Sequence, residues 1–160
     1  MKKWLSLILI CLVCLGGGGA IAQARVTPAQ VITTDIIPKQ LEQSLEIYLA
    51  NCSSCHIALP AETLPTQTWQ RLLENPNQHY GQALPLISGV EIALMWDYLQ
   101  AFSRPLLVDE RVPSRLREAR VFRALHPQLQ FPTPPTVNTC VSCHPSASQF
   151  NFRINNQTAN

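Results

Sequence analysis

Side chains that can ligate a metal through imidazole or thioether are scarce in this chain: its 160 residues include four histidines and two methionines, one of them Met1. Any such site must draw on His56, His79, His126, His144 and Met95. Charge is scarce too, at 14% of residues. With Lys2 and Lys3 assigned to a leader segment, ten basic residues face ten acidic ones, a balance that speaks against a nucleic-acid partner. Apart from the leader, no long apolar run occurs. There is no strand–helix–strand pattern of the thioredoxin kind, no signalling segment, and no internal repeat beyond one short motif.

The leader is the first 24 residues. Lys2 and Lys3 precede an unbroken apolar run from Trp4 to Leu15, and four glycines, Gly16 to Gly19, lead into small residues. This is the layout of a secretory signal. Two small-x-small sites, Ala20-Ile21-Ala22 and Ala22-Gln23-Ala24, place the mature start near Gln23 or Arg25. A lipoprotein reading fits less well, because Ile10 and Val13 precede Cys11 and Cys14 where a small residue is wanted. The rival is an uncleaved anchor, since Trp4 to Ala22 approaches the roughly 20 apolar residues of a bilayer span. Membrane association is expected only in that case; otherwise the protein is exported to the periplasm or an equivalent lumen.

What remains is 136 residues, enough for one modest domain or two very small ones. Its four cysteines all fall in one pattern, Cys52-Ser53-Ser54-Cys55-His56 and Cys140-Val141-Ser142-Cys143-His144. In C-x-x-C-H the two thiols add across the vinyl groups of one haem, and the adjacent imidazole sits beneath the iron. Roughly 0.005 accidental copies are expected in a chain of this composition, so two copies are a strong signal. A zinc ribbon would separate its paired cysteines by about 15 to 20 residues, whereas the gap here runs from Cys55 to Cys140. A disulfide scaffold would leave the histidine after each pair unexplained. Two covalently attached haem c groups are therefore expected.

Each motif fills one axial position. His56 and His144 being taken, His79 and His126 remain, one for each iron, which makes both haems bis-histidine. In the alternative, Met95 serves one haem and a histidine is ordinary. Met95, however, shares helical spacing with Ile92, Leu99 and Phe102, as expected of a packed face. The order along the chain pairs His79 with the first haem and His126 with the second; a crossed arrangement stays open.

The fold expected is mainly α, with two small cytochrome c-type haem domains, residues 25–105 and 106–160, joined by loop-rich connections. Arg25 to Pro38 reads as a loose lead-in. A helix over Lys39–Asn51 delivers the first motif, with Leu41, Leu45, Tyr48 and Leu49 on one face. A second, capped by Thr66 or Thr68, runs to Leu73 and is ended by Pro76; the loop after it presents His79, with Gly81 allowing a tight turn. Ser88 and Glu91 form a capping box for a third helix reaching Phe102. A fourth, Ser114–Leu125, puts His126 at its end, and Pro127, Pro132, Pro134 and Pro135 stiffen the approach to the second motif. The arginines at 104, 111, 115, 117, 120 and 123 read either as a solvated helix face or as partners for haem propionates or an acidic protein.

With these residues placed, the chain resembles the bacterial dihaem cytochrome c family of DHC type over about Tyr48 to Phe152. The likeness rests on the first Cys-x-x-Cys-His, Leu64-Pro65 with Trp69, and His79-Tyr80-Gly81. It continues through Arg115, Phe122 and His126, the second motif, and Phe150. Pro76 and Arg117 depart from the family pattern, where an apolar residue and a threonine are usual. The resemblance implies two bis-histidine haems and electron donation to a redox partner. In some relatives that partner resembles a small oxygen-binding monohaem cytochrome, with a membrane cytochrome b upstream. Iron with two fixed imidazoles has no open position, so an electron carrier is expected rather than an enzyme; a small dihaem peroxidase with one labile distal histidine, or a haem-based sensor, is the alternative. A mass spectrum of the exported protein should show a chain beginning at Gln23 or Arg25 that carries two haems; retention of residues 1–24 would mean an anchor.

Overall fold

The computed structural model describes residues 36–127 and 130–153. The leader and all but the last three residues of the lead-in lie outside them. The chain is helical and loop-rich, as expected, and among the described residues no strand forms.

Helix α1 spans Lys39–Cys52. Pro38 precedes it in the extended conformation, its carbonyl accepting the Leu41 N–H at 2.8 Å, and Ser44, Leu45 and Tyr48 form the buried face. The helix ends on the first cysteine of the first motif, so the attachment residues start from a rigid element. Helix α2 spans Thr66–Glu74. The expected threonine cap is not there. Pro65 occupies the cap position, and both hydroxyls serve longer-range contacts: Thr66 Oγ1 lies 2.8 Å from Ser103 Oγ, and the buried Thr68 hydroxyl donates to the Pro113 carbonyl at 3.0 Å. Helix α2 stops two residues before Pro76, whose ring disfavours helical backbone in the residue ahead of it.

Helix α3, Gly89–Phe102, begins with the expected capping box: Ser88 Oγ accepts the Glu91 N–H, and the Glu91 carboxylate accepts the Ser88 N–H at 2.9 Å. Met95 is fully buried on its inner face beside Tyr98 and Leu99, the packing role its spacing indicates. The fourth helix is shorter than expected. Residues 116–118 form a separate 3-10 turn, and α4 covers only Arg120–Leu125. The break has a local cause. The Glu118 carboxylate turns back to accept the N–H groups of Ser114 and Arg115 at 2.8 and 3.2 Å, closing the first turn on itself. Ala119 then crosses the core in extended conformation, wholly buried, before α4 starts.

Helices α1 and α2 both pack on α3. At their junction the wholly buried Tyr48 meets Tyr98 at 5.2 Å, Trp69 edge-on at 6.1 Å and Phe150 at 6.2 Å between ring centres. Phe150 comes from the far end of the chain, its backbone at φ 58° turning the side chain inward. Leu116, Ala119, Phe122 and Phe150 belong to the same apolar cluster as Leu45, Tyr48 and Trp69. Residues on both sides of Pro105 thus share one core. Thr68→Val, which keeps the shape but leaves the buried Pro113 carbonyl without its donor, should cost about 1–3 kcal/mol; the denaturant midpoint should fall with the slope unchanged.

Candidate haem centres

The first centre is assembled from the end of α1 and the loop after α2. The helix delivers Cys52, partly buried, and a turn brings Cys55 to the surface. Burial pushes the Cys52 thiol up to about 12. His56 follows, its Nδ1 2.9 Å from the Ile57 carbonyl. Facing that acceptor, Nδ1 carries the proton and Nε2 keeps its lone pair, the tautomer a metal requires.

His79 is presented by an irregular but well-braced loop. Pro76–Gln78 form a 3-10 turn, and the Pro76 carbonyl accepts the Leu84 N–H at 2.9 Å across the loop base. Tyr80 and Gly81, at φ 52° and 90°, then reverse the chain so that the Gln82 N–H returns to the His79 carbonyl at 3.0 Å. Two successive left-handed residues are the mark of a type I′ turn. The role of Gly81 was legible in the sequence; the left-handed Tyr80 was not. Its strain is offset by contacts on both sides of the ring: His79 lies 5.2 Å away edge-on, and the Arg115 guanidinium sits 4.5 Å from the ring centre. Burial, reinforced by the neighbouring His56, holds His79 below the usual histidine range.

The rings of His56 and His79 lie 6.0 Å apart between centres, with planes 14° from parallel. His126 and His144 form the other pair, 6.2 Å apart and nearly perpendicular at 85°. The structure thus brings His79 to His56 and His126 to His144. A metal–imidazole bond of about 2.0–2.1 Å on each side of one ion, with ~1.1 Å from nitrogen to ring centre, requires about 6.3 Å between centres. Both gaps therefore fit one metal ion between two imidazoles. Among the described residues no three His, Cys, Asp or Glu side chains converge as a protein-only metal site would need.

His126 caps the end of α4, with Nδ1 2.8 Å from the Phe122 carbonyl and its ring 4.4 Å from the Phe122 ring. The second motif lies on a 3-10 turn, Val137–Ser142, whose Cys140 carbonyl accepts the N–H groups of Cys143 and His144. Burial raises the Cys140 thiol, whereas Cys143 is exposed. A cleft partly open to solvent is lined by Cys140, Cys143, His126 and His144. Phe122, Phe131 and Phe152 give it apolar walls. The buried Nδ1 atoms of His79 and His144 have no hydrogen-bond partner, so each pair joins one ring anchored to a carbonyl with one held by packing alone.

The six arginines from 104 to 123 are exposed. Arg120 pairs with Glu110 at 3.4 Å, and Arg115 lies over Tyr80. Phe131 and Phe152, which line the second cleft, were not picked out as pocket residues from sequence.

Two imidazole pairs spaced for axial ligation, each beside a C-x-x-C-H motif in a helical, loop-rich fold, define a c-type cytochrome with more than one haem. The chain belongs to the dihaem cytochrome c family, whose profile matches residues 48–152. It accordingly carries two covalently bound haem c groups. Among solved structures it is similar to a dihaem cytochrome c from Rhodobacter sphaeroides, with 24% identity, a TM-score of 0.53, and coverage of 66% of this chain and 94% of that one. It is also similar to a dihaem cytochrome c from Shewanella baltica OS155, with 25% identity, a TM-score of 0.49, and coverage of 71% and 86% respectively. No curated protein matches.

Gly81→Ala tests the loop that carries His79. A Cβ there would meet nothing within 4 Å, so the cost is purely conformational, about 1–2 kcal/mol or more. Equilibrium unfolding of the holo-protein should show that loss.

Proposed function

We propose that the protein is an electron relay with two bis-histidine haems, His56 and His79 holding the first iron and His144 and His126 the second. The observation carrying this reading is that each pair of rings spans a gap of the size that one six-coordinate iron requires. Cys52 and Cys55 tether the first haem, and Cys140 and Cys143 the second. Bound haem c supplies an iron that gains or loses one electron. The chain's own contribution is to occupy both axial positions with rings that stay in place, so that ligation differs little between oxidation states and no site is open for bond chemistry. Imidazole in place of thioether keeps the potentials towards the low end; Met95, buried in the core, is not a rival ligand on this reading.

Residues 1–24 act as an export signal, placing the protein in the periplasm or an equivalent lumen. No helix among the described residues is long and apolar enough to cross a membrane. The partners proposed are redox proteins, with a monohaem cytochrome and a membrane cytochrome b as the classes the family resemblance suggests. The exposed arginines favour an acidic surface on at least one of them.

A peroxidase-like enzyme would need one distal ring to leave its iron. His79 is the candidate, because its Nδ1 has no acceptor whereas that of His126 does. The reduced wild-type protein should not bind carbon monoxide; tight stoichiometric binding would favour the enzyme. His79→Ala and His126→Ala should each turn one haem high-spin and leave the other unchanged. Ring orientation provides a further check. Near-parallel imidazoles split two of the iron d orbitals strongly, whereas perpendicular ones leave them nearly degenerate. The oxidised protein should therefore give one rhombic low-spin EPR signal, lost in His79→Ala, and one highly anisotropic signal, lost in His126→Ala.

A further inference from the structure

The segment leaving the first haem motif does not stay with the first haem. Ala58, Leu59, Ala61 and Leu64 are buried in the core, and the segment is held from the α1–α2 side by its carbonyls. The Tyr48 hydroxyl donates to the Leu59 carbonyl at 2.6 Å and the Trp69 Nε1–H to the Ala61 carbonyl at 2.8 Å, while within the segment the Thr63 hydroxyl donates to the Pro60 carbonyl at 2.7 Å. Its other side faces the second cleft. Leu59, Pro60 and Thr63 line the cavity holding His126 and His144. A strap only a few residues beyond His56 is thus a wall of the other haem's pocket.

We propose that Tyr48 is a positioning residue for the second haem, not for the first, whose motif begins four residues after it. Its hydroxyl fixes Leu59 and, with it, the strap that keeps water from the second cleft. Three features support this role. The hydrogen bond is short and wholly buried, so nothing else can replace the donor. Burial holds the phenol well above its ordinary range, which favours the protonated form that donates. The ring is clamped by Trp69, Tyr98 and Phe150, so the hydroxyl cannot swing away. The consequence is electronic: the shell around a metal centre controls solvent access and local dielectric, and through them the potential. A looser strap admits water, which stabilises the more highly charged oxidised iron and lowers the potential of the second haem.

This inference rests on the ligand assignment proposed above. The test is Tyr48→Phe in the full-length holo-protein, which retains the ring contacts and removes only the hydroxyl. Spectroelectrochemical titration, with the haems told apart by the EPR signals that His79→Ala and His126→Ala remove, should show the second haem's reduction equilibrium falling about threefold or more while the first haem changes by much less. Thr63→Val is the second variant. It removes the hydroxyl from Pro60 at a position that itself lines the cleft, and should produce a smaller shift of the same sign and selectivity. If both variants mature with two low-spin haems and shift the two potentials equally, shift only the first, or shift neither, the inference is overturned. If His126→Ala leaves both haems low-spin, the ligand assignment fails instead, and the two failures are separately visible. Should Tyr48→Phe not mature, Thr63→Val decides on the same criteria.

Discussion

A metal ion between two imidazoles imposes a distance that leaves little tolerance, and this small protein meets it twice. The rings must face each other across about 6 Å, with both Nε2 atoms free and with backbone rigid enough to hold them when the iron changes charge. The four rings are positioned in three ways. His56 and His144 follow their cysteines by one residue, so the tethers that hold the haems also hold these rings. His126 rides on the last turn of α4, pinned by the Phe122 carbonyl. His79 has no helix beneath it and depends on a type I′ turn made by a strained tyrosine and a glycine, with Arg115 reaching over from the other half of the chain. The strain at Tyr80 comes with presenting His79 from a loop, and it is tolerated because the surrounding contacts over-determine the conformation.

The extent to which this arrangement could be read from sequence follows the range of the interactions involved. The two C-x-x-C-H motifs, the scarcity of histidine and the Ser88–Glu91 capping box are local, and each indicated its structure directly. Helix α1 was legible for the same reason, since Leu45 and Tyr48 repeat at helical spacing. Thr66 and Thr68 were misread because a threonine ahead of an apolar run is a cap only if nothing better claims its hydroxyl. Here Ser103 and Pro113, 37 and 45 residues away, do so. The break at Ala119 was hidden for a related reason: Arg115 to Leu125 has helical composition, and only the return of Glu118 to Ser114 and Arg115, with the core closing around Ala119, interrupts it. Pairing of the rings is a property of tertiary structure and could only be guessed from order along the chain.

Size explains why residues from both halves mix. About 136 residues cannot supply two separate apolar cores around two large flat cofactors, because small domains bury too little of their surface. The chain instead uses each apolar element twice. Phe150, beyond the second motif, packs on Tyr48 ahead of the first, and Leu59, just past the first motif, lines the cleft of the second. Thr68 on α2 reaches Pro113 on the approach to α4. The second cleft therefore takes part of its wall from the segment that leaves the first motif.

That shared core bears on the proposed relay. One-electron exchange is fast when ligation and solvation change little with oxidation state, and both conditions depend on rings and walls that stay still. Separate pockets on a flexible linker would let the distance between haems vary, and each pocket would reorganise on its own. A common core ties the walls of the second cleft to the elements that carry the first motif. The two centres nonetheless remain different, because the ring planes are near-parallel in one and near-perpendicular in the other, and because the hydrogen-bonded imidazole is the motif histidine in the first and the distal histidine in the second. A hydrogen bond to Nδ1 makes its imidazole a stronger donor to iron. On the proposed ligation, the stronger push would come from the tethered ring at one haem and from the untethered ring at the other, so the two sites would differ in potential.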